Sequence, residues 1–250
     1  MPSITIYDLL SEIQYHLIEP PDGGYVFFSE QWTRDELLSY LRNRQNEFLK
    51  NTAALMKRDT ITYTPGVANQ PLPEDWMITQ RVVWNASGSY KELPRTDTWD
   101  ADYGDPAWTT PTTTPFVYSD SEEPSLELRV IPPAAAATGQ PEILYIYQDP
   151  ILPSRFNSTM RIDEFAPYPR VAGMPIQDRY RWTSVGLSIP ISPTLVILDM
   201  FNHAIKYGVM ADMLTKIGRA QDVTRATYCE ARYKEGIEAA AILLAGWQGG

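Results

Sequence analysis

The chain has 250 residues, 44% of them hydrophobic, enough for a soluble globular protein folded as one elaborated domain or as two lobes. Its net charge of −10 argues against nucleic-acid binding over a broad surface, since phosphate binding depends on clustered Lys and Arg. The single cysteine, Cys229, excludes an internal disulfide and suits a reducing cytoplasm, and the apolar segments predict neither a secretion signal nor a membrane span.

The first fifty residues predict two amphipathic helices. The first is expected at about residues 5–18, and the second begins after Thr33, an N-cap whose capping box Glu36 would complete. Trp32 is placed to pack on the first turn of the second helix as a hydrophobic staple. Neither helix can bury its apolar stripe alone. The expected stripe of the second helix consists of Leu37, Leu38, Leu41, Phe48 and Leu49.

From about Arg58 onward the hydrophobic pattern changes to that of β-strands. The segments TITYTP, WMITQRVVWN, SYKEL, PFVYSD, LELRVIP and EILYIYQDP are rich in β-branched and aromatic residues, and Pro, Gly, Asp and Ser separate them. They predict five or six strands of an antiparallel sheet between Thr60 and Gln148. We therefore assign an inserted β lobe to residues 58–149.

Residues 150–191 predict a long extended arm without sustained periodicity. Asp149 to Pro193 includes seven prolines and five arginines, and residues 150–192 carry a net charge of +2. Such long connections are usually functional or disordered, and the aromatic content argues against pure disorder. The arginines are solvated, contact carboxylates of another copy or partner, or contact nucleic-acid phosphates; the prolines and aromatics favour a protein interface. The interface candidates are Arg155, Phe156, Arg161, Tyr168, Arg170, Arg179, Tyr180, Arg181 and Trp182, together with Trp247 near the carboxyl end.

The last sixty residues predict two further helices. One is expected to start at Ser192-Pro193 and end at Gly218, burying a stripe that includes Leu198 and Met200. The other starts after the N-cap Asp222 and ends at Gly246. Its inward residues are expected to be Ala226, Ala231, Ile237, Leu243 and Leu244.

These elements predict an α+β fold. Residues 1–57 and 192–250 would form a four-helix bundle, with the antiparallel β lobe inserted between its halves and the extended arm leading back to it.

Residues able to carry chemistry are few. His16 and His203 lie on or beside apolar helix faces without a second ligand nearby, so we expect structural roles. Cys229 is expected to be a buried helix cysteine. The run DTWDADYGD lacks the glycine and glutamate offsets of a calcium loop, which favours a capped turn with solvated charge. The aspartates of this run are Asp97, Asp100, Asp102 and Asp105. The sequence thus predicts no catalytic residue, no metal and no cofactor.

Several segments in order along the chain resemble the adaptor, or head-to-tail connector, proteins of tailed bacteriophages. The segments are LPEDWMITQRVVWN, KELPRTDTWDADYGDPAW, the run from TPFVYSD to ILYIYQDP, and the terminal KYGVMADMLTKIGRAQDVTRATYCEARYKEGIEAA. Individually these motifs are loose, but together they cover most of the chain. The arm at residues 150–191 is longer than the connection usual in the family.

The resemblance implies a structural virion protein rather than an enzyme. It implies a homo-oligomeric ring, commonly of twelve copies, which would sit beneath the portal protein, join the capsid to the next tail or nozzle protein, and continue the DNA channel. Assembly would take place in the host cytoplasm, with no membrane partner and no sequence-specific DNA binding. Two other classes stay open at this point: a tail-associated cell-wall hydrolase that uses acidic residues, and a β-rich receptor-binding tail module.

Overall fold

The computed structural model describes residues 6–17, 31–32, 34–104, 107–112, 114–120, 127–136, 139–149 and 197–248. This part of the chain is α+β, with five helices and seven strands in two antiparallel sheets. The chain divides into two compact units, a helical unit from residues 1–54 and 148–250 and a β unit from residues 55–147.

The helical unit brings together the two ends of the chain. Helix α4 contacts α1, α2 and α5, and α2 also contacts α5. The predicted stripe of α2 is buried except for Leu38, which is half-buried. Burial of these apolar side chains, rather than helix propensity, stabilises the helices. The four helices are α1 (Ile6–His16), α2 (Arg34–Thr52), α4 (Asp199–Thr215) and α5 (Val223–Gln248).

Helix α4 begins later than the sequence pattern predicts. Its first residue is Asp199, and Leu198 before it has an extended backbone, with φ −59° and ψ 135°. The expected start at residues 192 and 193 lies outside the described residues. Leu198 and Met200 were predicted to be buried but are 47% and 59% exposed, because the buried stripe runs through Phe201 and recurs every four residues from there. The helix ends at Thr215, before Gly218.

Helix α5 confirms the predicted start and part of the predicted inward face, since Ala226 and Leu244 are buried. The N–H of Arg225 donates to Asp222 Oδ1 at 3.0 Å, so Asp222 is the N-cap. Ala231 and Leu243 are exposed, and Ile237 is half-buried. Gly246 does not end the helix, since an exposed helical glycine costs only about 1 kcal/mol. The observed inward stripe is Ala226, Cys229, Tyr233, Ala240 and Leu244.

The β unit contains a four-stranded sheet in the order β1-β7-β3-β4 and a three-stranded sheet in the order β2-β6-β5, with every pair antiparallel. TITYTP is not a strand: β1 ends at its first residue, Thr60, and β2 was not predicted. The other five predicted strands are present. The strands are Met56–Thr60, Asn69–Pro71, Trp76–Ala86, Ser89–Leu93, Val117–Ser119, Glu127–Ile131 and Gln140–Tyr147, and helix α3 is Thr98–Gly104.

The core of the β unit lies on one face of the long strands. Every second residue is buried at Val82 and Trp84 of β3 and at Pro141, Ile143 and Tyr145 of β7, as the period of a strand requires. The hairpin between β3 and β4 turns through Ser87 and Gly88, both at positive φ, which matches the twist of paired strands. The central core residues are Val82, Trp84, Tyr118, Leu128, Val130, Ile143 and Tyr145.

Candidate partner-binding surfaces

The predicted interface residues are the first candidates for a functional surface. The nine candidates between Arg155 and Trp182 all lie outside the described residues. Trp247 belongs to the last turn of α5, and its side chain also lies outside the description. Their proposed contacts therefore stay predictions.

An ionic junction joins α2 to α4 and α5. Arg44 donates to both carboxylate oxygens of Asp212, with Nε at 2.8 Å and Nη2 at 2.6 Å. Its Nη2 lies 2.9 Å from Glu230, and its Nη1 lies 3.1 Å from Glu47. The planar guanidinium, with its several N–H donors, suits this cluster of three carboxylates better than the ammonium group of a lysine would. The junction links a helix of the amino-terminal end to two helices of the carboxyl-terminal end.

Burial and charge act in opposite directions on Arg44. Its side chain is 14% exposed, and burial alone would lower its pKa. The hydrogen bond to Asp212 and the negative charges of Asp212, Glu230 and Glu47 outweigh burial and raise the pKa. Arg44 is therefore charged at every physiological pH.

Tyr233 of α5 packs against the same junction. Its hydroxyl donates to the carbonyl oxygen of Arg44 at 2.7 Å, and the guanidinium carbon lies 5.0 Å from the ring centroid. Gly208 of α4 permits this approach, since a Cβ there would lie 2.9 Å from the Tyr233 ring. Burial raises the pKa of the Tyr233 hydroxyl, which stays protonated as the donor that this bond needs.

Further contacts link the first two helices to α4. Lys206 is 5% exposed, and its Nζ lies 3.0 Å from Glu12 of α1. Lys216 Nζ donates to Glu36 of α2 at 2.7 Å, so this carboxylate makes a contact that the predicted capping box did not include. The indole of Trp32 donates to the carbonyl oxygen of Met213 at 3.1 Å. The capping role of Thr33 lies outside the described residues.

The histidines and the cysteine have surroundings typical of structural residues. The His203 ring packs edge-on against Tyr207, and burial and then Lys206 lower its pKa. His16 lies 3.5 Å from Lys206 Nζ. Cys229 is buried, and burial raises the pKa of its thiol. A raised thiol pKa disfavours the nucleophilic thiolate.

The acidic run forms the short helix α3 rather than only a turn. Asp97 caps it: the N–H of Asp100 donates to Asp97 Oδ1 at 2.7 Å. Asp102 accepts from the indole of Trp108 at 2.6 Å. Asp105 lies outside the described residues. Within the part of the chain that the structure describes, no group of three or more His, Cys, Asp or Glu could hold a metal ion.

A groove of about 540 Å³ lies between α4 and α5. Met200 and Leu243 line it and are half-exposed, while Arg232 and Glu235 form an ion pair at 2.8 Å on its wall. Gly236 forms part of its floor and packs on Ala204. The groove is an open surface of the helical unit and not an enclosed substrate cavity.

The contact between Gly236 and Ala204 yields a stability prediction. A Cβ at position 236 would lie 2.3 Å from the Cβ of Ala204, far inside the normal contact distance. We expect Gly236→Ala to lower the free energy of unfolding by about 1–2 kcal/mol, because the forced separation of α4 and α5 outweighs a gain of about 1 kcal/mol in helix propensity. Urea denaturation followed by circular dichroism measures the change.

Gly246→Ala in the same helix is the matched control. A Cβ there meets no heavy atom within 4 Å, so only helix propensity acts and stability should stay equal or rise. A Gly236→Ala variant as stable as the Gly246→Ala variant would contradict the close packing.

Sequence reasoning missed the ionic junction around Arg44. Arg44 and Gln45 fall between Leu41 and Phe48 on the buried face of α2, and this interruption by polar residues was the available signal. The partners Asp212 and Glu230 lie far away in sequence, so no local pattern could identify them.

The side chains described above make packing, capping and ion-pair contacts. Among the helices of the described ranges, none is both long enough and apolar enough to cross a membrane. A family model described as "SU10 adaptor protein" matches residues 4–248. The chain therefore belongs to the SU10 adaptor protein family, which confirms the resemblance to phage adaptor proteins. No curated protein sequence matches the chain.

Proposed function

We propose that this chain forms a ring, of about twelve copies, that joins the capsid of a tailed phage to its tail. The family match over residues 4–248 carries the proposal, since it spans both units. The ring would bind the portal protein on one side and the next tail or nozzle protein on the other. Its place would be the neck of the virion, after assembly in the host cytoplasm.

The helical unit supplies the rigidity that a ring subunit needs. Ion pairs and hydrogen bonds at Arg44, Lys206 and Lys216 tie the first two helices to the last two. We propose that these four helices form the bundle that fixes the angle between neighbouring copies, with residues 58–149 as the inserted lobe. Subunits in a closed ring must repeat one rotation, which a soft scaffold would not maintain.

The acidic charge supports a role around a DNA channel. The net charge is −10, and residues 1–149 carry 10 basic and 22 acidic residues. Like charges repel, so DNA can pass an acidic wall without adhering to it. We therefore propose passage of DNA without sequence-specific binding.

The arm at residues 150–191 is proposed as the contact between copies or with a partner. It is the segment of the chain with a net positive charge, and five arginines accompany aromatic residues there. Arginine and aromatic residues are enriched at protein interfaces. The residues proposed for this contact are Arg155, Phe156, Arg161, Tyr168, Arg170, Arg179, Tyr180, Arg181 and Trp182, and Trp247 is proposed as a second anchor.

Electron microscopy of assembled particles tests the proposal directly. A label fused to this chain should appear as a ring between portal and tail. A label at the tail tip would favour a receptor-binding module instead, and cleavage of peptidoglycan by the purified chain would favour a hydrolase. In the structure, Asp97 and Asp102 make capping and indole contacts, which provides no support for the hydrolase alternative.

Changing the five arm arginines to glutamine tests the arm. We expect head-to-tail joining to fall at least tenfold, because charge-assisted contacts are lost while the chain length is kept. The measurement counts tailed and tailless particles. Arg81→Gln is the control, since Arg81 is an exposed arginine of the β unit paired with Glu92 at 2.9 Å. Normal head-to-tail joining by the variant with all five arginines replaced would contradict a role of these arginines in the contact.

A further inference from the structure

Helix α3 contributes nothing to the core of the β unit. None of the residues Thr98–Gly104 is buried. Polar contacts hold the helix: Asp97 caps its first turn, Asp102 accepts from Trp108, and Arg129 donates to Thr98 at 3.2 Å. A seven-residue helix without apolar burial is marginal by itself, so these contacts, one of them from Arg129 of β6, hold it in place.

The same helix presents two large aromatic side chains to solvent. Trp99 is 84% exposed and Tyr103 is 94% exposed. They are four residues apart, so they lie on one face of the helix. Exposed Trp and Tyr add no folding stability, whereas at protein interfaces they are the side chains that most often dominate binding. We call this surface, formed by Trp99 and Tyr103, the α3 ridge.

The charge around the α3 ridge selects a basic partner. Residues 96–104 include three aspartates and no Lys or Arg, Arg129 contacts the helix at Thr98, and residues 55–147 carry 6 basic and 13 acidic residues in all. Residues 150–192 of the same sequence carry a net charge of +2 with five arginines. Arginine stacks on Trp and Tyr rings, and proline packs on exposed aromatic residues. The arm therefore has the charge and side chains that match the ridge.

The two surfaces suit a contact between adjacent copies of a ring. A ring of more than two copies uses a heterologous interface, in which two different surfaces of the chain meet. Each copy has one α3 ridge and one arm. We propose that the α3 ridge of one copy binds the arm, residues 150–191, of the adjacent copy. This inference rests on the proposed ring.

Photo-crosslinking from position 99 tests the contact in the full-length chain. Trp99 is replaced by benzoylphenylalanine, and ¹⁴N- and ¹⁵N-labelled copies are mixed before assembly into rings. Mass spectrometry should find cross-links from position 99 to residues 150–191 between differently labelled copies. The same probe at Tyr90, which is 60% exposed in the same unit, should give no such links. Links within a single copy only, or links that avoid residues 150–191, would overturn the proposal.

The double variant Trp99→Ala/Tyr103→Ala measures the contribution of the ridge. Self-association should weaken about tenfold or more in sedimentation velocity, as expected for interface aromatic residues. The urea midpoint should not change, because neither side chain is buried. Tyr90→Ala should leave self-association unchanged. Unchanged association in the double variant would overturn the ridge contact alone, whereas wild-type chain that forms no rings would refute the proposed function and this inference together.

Discussion

Replacing Arg44 with methionine is expected to lower the free energy of unfolding by about 3 kcal/mol. The substitution keeps an unbranched side chain similar to the aliphatic part of arginine, but it removes the guanidinium and leaves Asp212, Glu230 and Glu47 close together without their cation. The Arg44 side chain is 14% exposed and those of Asp212 and Glu230 are 26% and 31% exposed, so removal of the cation leaves two part-buried carboxylates without their partner. Urea denaturation followed by circular dichroism measures the loss.

One further variant separates the charge of Arg44 from its shape, and a second variant, at Arg232, serves as the control. Arg44→Lys keeps the charge but loses the planar fork, so its loss of stability should lie between wild type and Arg44→Met. Arg232→Met removes an arginine paired with Glu235 at 2.8 Å, but that arginine is 50% exposed, so the change should stay within about 0.5 kcal/mol. Equal effects of Arg44→Met and Arg232→Met would show that the junction does not stabilise the helical unit.

Local signals in the sequence predicted the element types well. The cap Asp222, the strand segments around β3, β4 and β7, and the buried stripe of α2 depend on short-range patterns of polarity and capping chemistry. Such patterns act within a few residues, so a sequence alone can reveal them. The α+β class followed from the change of period near Arg58.

The inward face of α5 was predicted only in part, because an alanine does not indicate which side of a helix is buried. The helix holds alanines at many positions, and Ala231 and Ala226 differ in burial although their side chains are identical. The side of α5 that faces inward is set by Tyr233, which packs on Arg44, a residue 189 positions away in the sequence. Long-range contacts of this kind decide which side of an alanine-rich helix turns inward.

The surfaces that bear on function were the least predictable part. The α3 ridge was overlooked because its aspartates suggested a solvated turn, whereas the informative residues are the aromatic side chains between them. Exposure is a property of the folded chain, and Trp99 cannot be distinguished from the buried Trp84 by residue type. The contacts proposed for the arm involve a second copy or a partner, which the sequence of one chain does not describe.

Replacing Trp84 with alanine is expected to destabilise the β unit by about 4 kcal/mol. Trp84 is fully buried on β3, and its ring meets Tyr63 edge-on at a centroid distance of 5.1 Å. Its surroundings are tight, since a Cβ at Gly139 would lie 2.6 Å from the indole nitrogen. Deletion of the indole leaves a cavity that backbone hydrogen bonding on both sides of β3 keeps from collapsing.

Trp84→Phe distinguishes the cost of lost side-chain volume from the cost of burying the indole nitrogen. The indole nitrogen is buried and has no hydrogen-bond partner among the described residues, so removing it relieves a desolvation cost while part of the volume is lost. We therefore expect a loss of about 1–2 kcal/mol, well below that of Trp84→Ala. Trp99→Ala removes the same indole from a site that is 84% exposed and should leave the urea midpoint unchanged. If Trp84→Ala and Trp99→Ala shift that midpoint equally, the packed core described for the β unit is wrong.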